Sequence, residues 1–104
     1  MTESEFTRLA DETLTRIENA IDDCGVDIDY ENNGGVMELT FTNGSQMIIN
    51  KQSAVHEIWL ATKSGGFHFT WEGGEWRNTR DGSNLFAALG KYASMQANQV
   101  VVLG

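Results

Sequence analysis

Residues 4 to 24 place Phe6, Leu9, Ala10, Thr13, Leu14, Ile17, Ala20, Ile21 and Cys24 at intervals of three and four. That spacing marks one face of an α-helix, and at about 100° per residue it fills an arc of roughly 140°. Thr2 and Glu5 fit a capping box, the early acids suit the positive end of a helix, and Gly25 is a natural stop. The period then drops to two. Val26, Ile28 and Tyr30 alternate with Asp27, Asp29 and Glu31, which predicts a strand over 26–31 with its acids outward. After the turn chemistry of 32–35, a second strand over 36–41 turns Met37, Leu39 and Phe41 inward. Asn43-Gly44 is a hairpin signal leading to a third strand over 46–50. Further strands are expected over 56–61, 67–71 and 76–79. Ser83 is the candidate cap of a second helix in which Leu85, Phe86, Leu89, Tyr92, Ala93 and Gln96 share a face. The apolar tail 100–103 packs beside the helices.

Five or six hairpin-linked strands between two helices imply an α+β fold with an antiparallel sheet, not parallel βαβ units. Both helices need an apolar surface, so both cover one sheet face and leave the other to water. At 104 residues the chain is expected to be one domain, residues 1–104. It has no apolar run long enough for a transmembrane helix, and its acidic start lacks the apolar segment of a signal peptide. The single cysteine, Cys24, excludes an internal disulfide and suits a reducing, cytoplasmic setting.

Charge sharpens the picture by its location. Residues 1–31 carry ten acidic residues and two arginines, whereas the remaining residues carry five acids and five bases, so the net charge of −8 resides in the first third of the chain. Such a surface repels phosphates and is a poor match for nucleic acid. It suits cations or a basic protein surface. Asp11, Glu18 and Asp22 fall within about 40° of one another on the first helix, while Glu5, Glu12 and Asp23 form a second line roughly 100° away. Beside a strand with an acid at every second position, this makes an open field of the oxygen ligands that hard cations prefer. A solvated face that merely keeps the protein soluble is the competing reading. An EF-hand, with Asp27, Asp29, Glu31 and Glu38 at loop positions, is rejected because Asn32 stands where the loop needs glycine and no helix follows.

Parity also singles out Trp59. If Ile58 and Leu60 face the core, Trp59 faces the helix-free side, where an exposed tryptophan suggests an interface hot spot. In the next strand Phe67, Phe69 and Trp71 point inward and His68 outward. Neither His56 nor His68 has a catalytic partner at sequence spacing, so a structural or surface role is expected of both. The paired glycines lie in hairpin turns and do not open helices, so they are not phosphate loops.

An acidic first helix, then Asn50-Lys51-Gln52, then Ile58-Trp59-Leu60-Ala61-Thr62, then Ser64-Gly65-Gly66-Phe67-His68-Phe69, resembles the frataxin family in its short bacterial form. The likeness runs over essentially the whole chain. It implies a two-layer α/β sandwich, with two helices on one face of a five- to six-stranded antiparallel sheet. It also implies a non-enzymatic, cytoplasmic protein of iron–sulfur cluster assembly. Such a protein binds Fe²⁺ and Fe³⁺ weakly, and other di- and trivalent cations in their place, as an iron donor or sensor and a regulator of the cysteine desulfurase. Carried onto this sequence, the metal-binding ridge is Glu3, Asp11, Glu12, Glu18, Asp22, Asp23, Asp27, Asp29 and Glu31. Glu18, Asp22 and Asp23 also meet the desulfurase, and Asn50, Gln52, Trp59 and His68 face the scaffold protein. The family pattern is broken at Thr7, where some bacterial relatives carry histidine, at Asn19, where an acid is common, and at Glu57, where eukaryotic relatives carry glutamine. No contact with nucleic acid or membrane is expected, and the metal-free protein is expected to be a monomer. Two other classes stay in view. One is a purely protein-binding inhibitor of the desulfurase whose metal binding is incidental. The other is a ferroxidase, which needs a paired-metal site that the spread of these acids does not suggest.

Overall fold

The computed structural model describes all 104 residues. Helix α1 spans Glu3–Asp23. Six strands follow: β1 (Ile28–Asn33), β2 (Val36–Phe41), β3 (Gln46–Gln52), β4 (Glu57–Thr62), β5 (Gly65–Glu72) and β6 (Glu75–Asn78). Helix α2 covers Leu85–Ala97. The strands form one sheet in chain order, each antiparallel to the next. Two helices against a six-stranded antiparallel sheet match the expected α+β sandwich.

The core is the sum of the two periodicities. Phe6, Ala10, Leu14, Ile17 and Ile21 of α1 and Leu85, Phe86, Ala88, Leu89 and Ala93 of α2 are buried together with Ile28, Met37, Leu39, Phe41, Met47, Ile49, Ile58, Leu60, Phe69 and Trp76. Each fully buried Leu, Ile, Phe or Met among them contributes about 1.5–3 kcal/mol relative to an exposed one. Polar groups inside are partnered. The Thr13 hydroxyl donates to Leu9 O at 2.7 Å and accepts the Trp76 indole N–H at 2.8 Å, joining α1 to β6. Buried Gln96 donates to Ser45 Oγ and Gln46 O and accepts from the Lys63 N–H, so the end of α2 is tied to two hairpin turns. Ser94 accepts the Val101 N–H at 2.8 Å, and this holds the tail so that Val101 and Leu103 are buried while Val100 and Val102 face solvent.

Several boundaries move. β1 begins at Ile28, two residues after the alternation begins, because its partner β2 ends at Phe41, opposite Ile28. Val26 still packs against the core, but Asp27 precedes the strand. His56 has φ 53° in the turn before β4, and its ring stacks on Phe6 at 5.2 Å, which makes it a structural residue. Asn84, not Ser83, caps α2 by accepting the N–H groups of Phe86 and Ala87. Ser83 is engaged in the preceding turn, where its hydroxyl and N–H both donate to Asp81. Those two bonds hold the Asp81 carboxyl below its ordinary value, the hydroxyl contributing most.

Candidate cation and partner surfaces

The helix that carries most of the acids is oriented by its apolar stripe, so the acids have nowhere to go but outward. Glu3, Asp11, Glu12, Asp22, Asp23, Asp27, Asp29 and Glu31 are exposed, and Glu18 is half-buried. Thr2 caps the helix by accepting the Glu5 N–H at 3.1 Å. The other end runs against the helix dipole. Asp22 and Asp23 lie in the last turn with no basic residue there, where a negative charge costs about 0.3–1 kcal/mol.

The ridge divides into two halves. In the first, Lys51 Nζ lies 3.0 Å from Asp11 and Arg8 lies 3.3 Å from Glu12. The Lys51 stem crosses Gly35 so closely that a Cβ there would sit 2.9 Å from Lys51 Cε, and its ammonium is therefore delivered to the ridge by a close approach of backbone. In the second half, Glu18, Asp22, Asp23, Asp27, Asp29 and Glu31 have no cationic side chain in ion-pair reach. The Tyr30 hydroxyl donates to Asp22 at 3.1 Å. That bond, with a smaller effect of desolvation and of the negative Asp22 and Glu18, raises the phenol above its ordinary value.

The sheet separates acids that the sequence groups together. Asp29 pairs across the ladder with Thr40 and Glu31 with Glu38, which places these side chains on the helix-free face. Tyr30 points the other way, to the helix layer, as its bond to Asp22 requires. The edge strand β1 is thus flanked by carboxylates on both sides. On the helix-free side Asp29, Glu31 and Glu38 line an open hollow of about 320 Å³ together with Thr40 and Gln46. Glu38 is the acid that reading by element overlooks; only the β1–β2 register brings it opposite Glu31. No group of three or more acidic, histidine or cysteine side chains is arranged to hold a metal ion. The donor chemistry fits hard cations, and the geometry is an open field instead of a cage.

The second surface lies at the centre of the helix-free face. Register places Asn50 beside Trp59, Trp59 beside His68, and Gln52 beside Glu57. Trp59 faces outward as its parity demands, yet it is half-buried, because the His68 ring stacks on it at 4.4 Å with planes 9° apart. Its indole N–H donates to Glu57 Oε1 at 2.7 Å. Beside this stack Ile48, Ala61 and Phe67 help to line a mainly apolar hollow of about 200 Å³. Glu57 shares the outward parity of Trp59, and the indole bond makes it part of this surface beside the expected Asn50, Gln52 and His68. Cys24 is half-buried at the end of α1 and packs against the core.

A frataxin-like domain profile matches residues 1–99 of the chain. Among curated proteins, the iron-sulfur cluster assembly protein CyaY of Paraburkholderia phymatum is 46% identical over 97% of this chain and 96% of its own length. That of Dechloromonas aromatica is 45% identical over 99% of each. Among solved structures, frataxin from Psychromonas ingrahamii superposes with a TM-score of 0.93 at 36% identity, covering 100% of this chain and 99% of its own. A trimeric frataxin from Saccharomyces cerevisiae, solved in complex with ferrous iron, has a TM-score of 0.70 at 29% identity over 95% of this chain and 88% of its own.

Proposed function

The chain belongs to the frataxin family, and on that premise we propose that it is a non-enzymatic iron-binding protein of iron–sulfur cluster assembly. Residues 1–104 act as one domain. Iron is cargo, held weakly and exchangeably along Glu3, Asp11, Glu12, Glu18, Asp22, Asp23, Asp27, Asp29 and Glu31. Other divalent and trivalent cations take its place. The observation that carries this reading is the run from Glu18 to Glu31, six carboxylates without a basic partner, two of them at the wrong end of a helix dipole. Clustered carboxylates raise one another's cost of ionisation, and a cation relieves it. A basic patch on the cysteine desulfurase relieves it equally, which makes the same acids the contact for that partner and links iron loading to desulfurase regulation. The Asn50, Gln52, Trp59 and His68 surface takes the scaffold protein. The names of the bacterial relatives and the ferrous complex of yeast frataxin support the reading.

An anaerobic Fe²⁺ titration followed by NMR, with Co²⁺ or a lanthanide as a second probe, tests it. Resonances of residues 11–31 should broaden or shift first, and uniform shifts across the sheet would sink the ridge assignment. The alternative, a protein-binding inhibitor with incidental metal binding, draws support from the absence of a metal cage. Measuring desulfurase affinity with iron and under chelation separates the two. Affinity indifferent to iron favours the inhibitor.

A further inference from the structure

On the helix-free face, Glu57 and His68 sit on neighbouring strands and converge beside Trp59. Glu57 Oε1 is 3.5 Å from His68 Nδ1, longer than a good hydrogen bond. Two ligand atoms each about 2.1 Å from an ion lie about 3.0 Å apart in octahedral geometry and about 3.4 Å apart in tetrahedral geometry, so a small adjustment brings the pair to either. The same Oε1 accepts the Trp59 indole N–H at 2.7 Å, and the Glu57 side chain is only 18% exposed, so the carboxylate is held in place while Oε2 has no partner. The imidazole is held flat on the indole. Both ligand groups are therefore oriented before any ion arrives. Gln52 and Thr70 flank Glu57 across the two ladders as further oxygen donors.

We propose that Glu57 and His68 form a second metal site, selective for borderline divalent transition metals such as Ni²⁺, Co²⁺ or Zn²⁺. Its donor set differs in kind from the ridge. One imidazole nitrogen and one carboxylate suit these ions, whereas the all-oxygen ridge suits harder ones. Water completes the coordination, so the site is shallow and exchangeable. It places a metal against the indole that dominates the sheet surface, and loading it changes the charge that surface presents to a partner. The site is independent of the ridge and stands or falls separately from it.

The test is a Ni²⁺ titration of the full chain, read by tryptophan fluorescence and by NMR. The expected result is quenching of indole emission with broadening of residues 57–59 and 67–69. His68→Asn should abolish both effects. Glu57→Gln, which keeps an acceptor for the indole, should weaken them. Asp22→Asn with Asp23→Asn should leave them unchanged while reducing Ni²⁺ effects at the ridge. Broadening confined to residues 11–31 of the unmodified protein, or a His68→Asn variant that titrates like it, would overturn the site without touching the ridge.

Discussion

The second half of the acidic ridge and the Trp59 surface solve opposite problems. Around Glu18 to Glu31 the charges lack cationic partners, are exposed except for half-buried Glu18, and spread over a helix end, a connection and an edge strand. At Trp59 the indole is engaged twice: its N–H by Glu57, its face by His68. One region acts at a distance and is screened by salt. The other acts only on contact and has a shape to offer. On the proposed function, a protein that attracts a cation or a basic partner and also seats a second protein gains from keeping these properties apart. The fold does so by giving the first to α1 and β1 and the second to the middle of the sheet.

The largest effect expected from breaking this division is at the contact surface. Trp59→Ala should weaken scaffold binding by about 2 kcal/mol or more, as truncation of a central aromatic does, while cation shifts at residues 18–31 persist. Parallel calorimetric and NMR titrations check both halves of that statement. Next is Asp23→Lys, which reverses a charge unfavourable to the α1 dipole and should stabilise the metal-free protein by about 0.5–1 kcal/mol. Thermal unfolding should show a rise of a few degrees, since about 1 kcal/mol corresponds to about 4–8 °C in a domain near this size. The same variant should bind cations less well, so stability and function move in opposite directions. Lys51→Met removes the ammonium from Asp11 and should cost less than about 1 kcal/mol, the usual limit for exposed pairs. Its informative readout is cation binding, which should extend towards the middle of α1.

The smallest effect is a titration. The Tyr30 phenol is raised above 10.0, first by its bond to Asp22. A group whose pKa is raised on folding stabilises the fold below its unfolded value, and that contribution is lost as pH rises through the folded value. Alkaline absorbance of a Tyr92→Phe variant should therefore place the Tyr30 transition above 10.0, with stability declining across the same range. Asp22→Asn, or a cation at Asp22, should bring the transition down.

Much of this was legible because both periodicities are clean. Ile17, Ile21 and Ile28 could only be core residues, so Glu18, Asp22 and Asp29 had to face water. The positions that escaped depend on pairing, which a linear reading does not contain. β1 starts late because its partner runs out at Phe41. Ser83 and Asn84 are both good caps, and the turn to Asp81 claims the first. Glu38 joins the acids, and Glu57 joins Trp59 and His68, only through strand register and side-chain reach. Trp59 is outward as parity dictates, but no parity rule foretells that a histidine on the next strand half covers it.

On the proposed function, the unpaired acids from Glu18 to Glu31 are kept at a cost in stability that cations relieve. Thermal unfolding of the metal-free protein against its Asp22→Asn, Asp23→Asn variant, each with and without anaerobic Fe²⁺, tests this most directly. Fe²⁺ should raise the melting temperature of the native protein, with linkage adding about 2.7 kcal/mol of stability at one hundred times the dissociation constant. The variant should start higher and gain less. A native protein that is indifferent to Fe²⁺, or a variant that starts lower and gains as much, would contradict it.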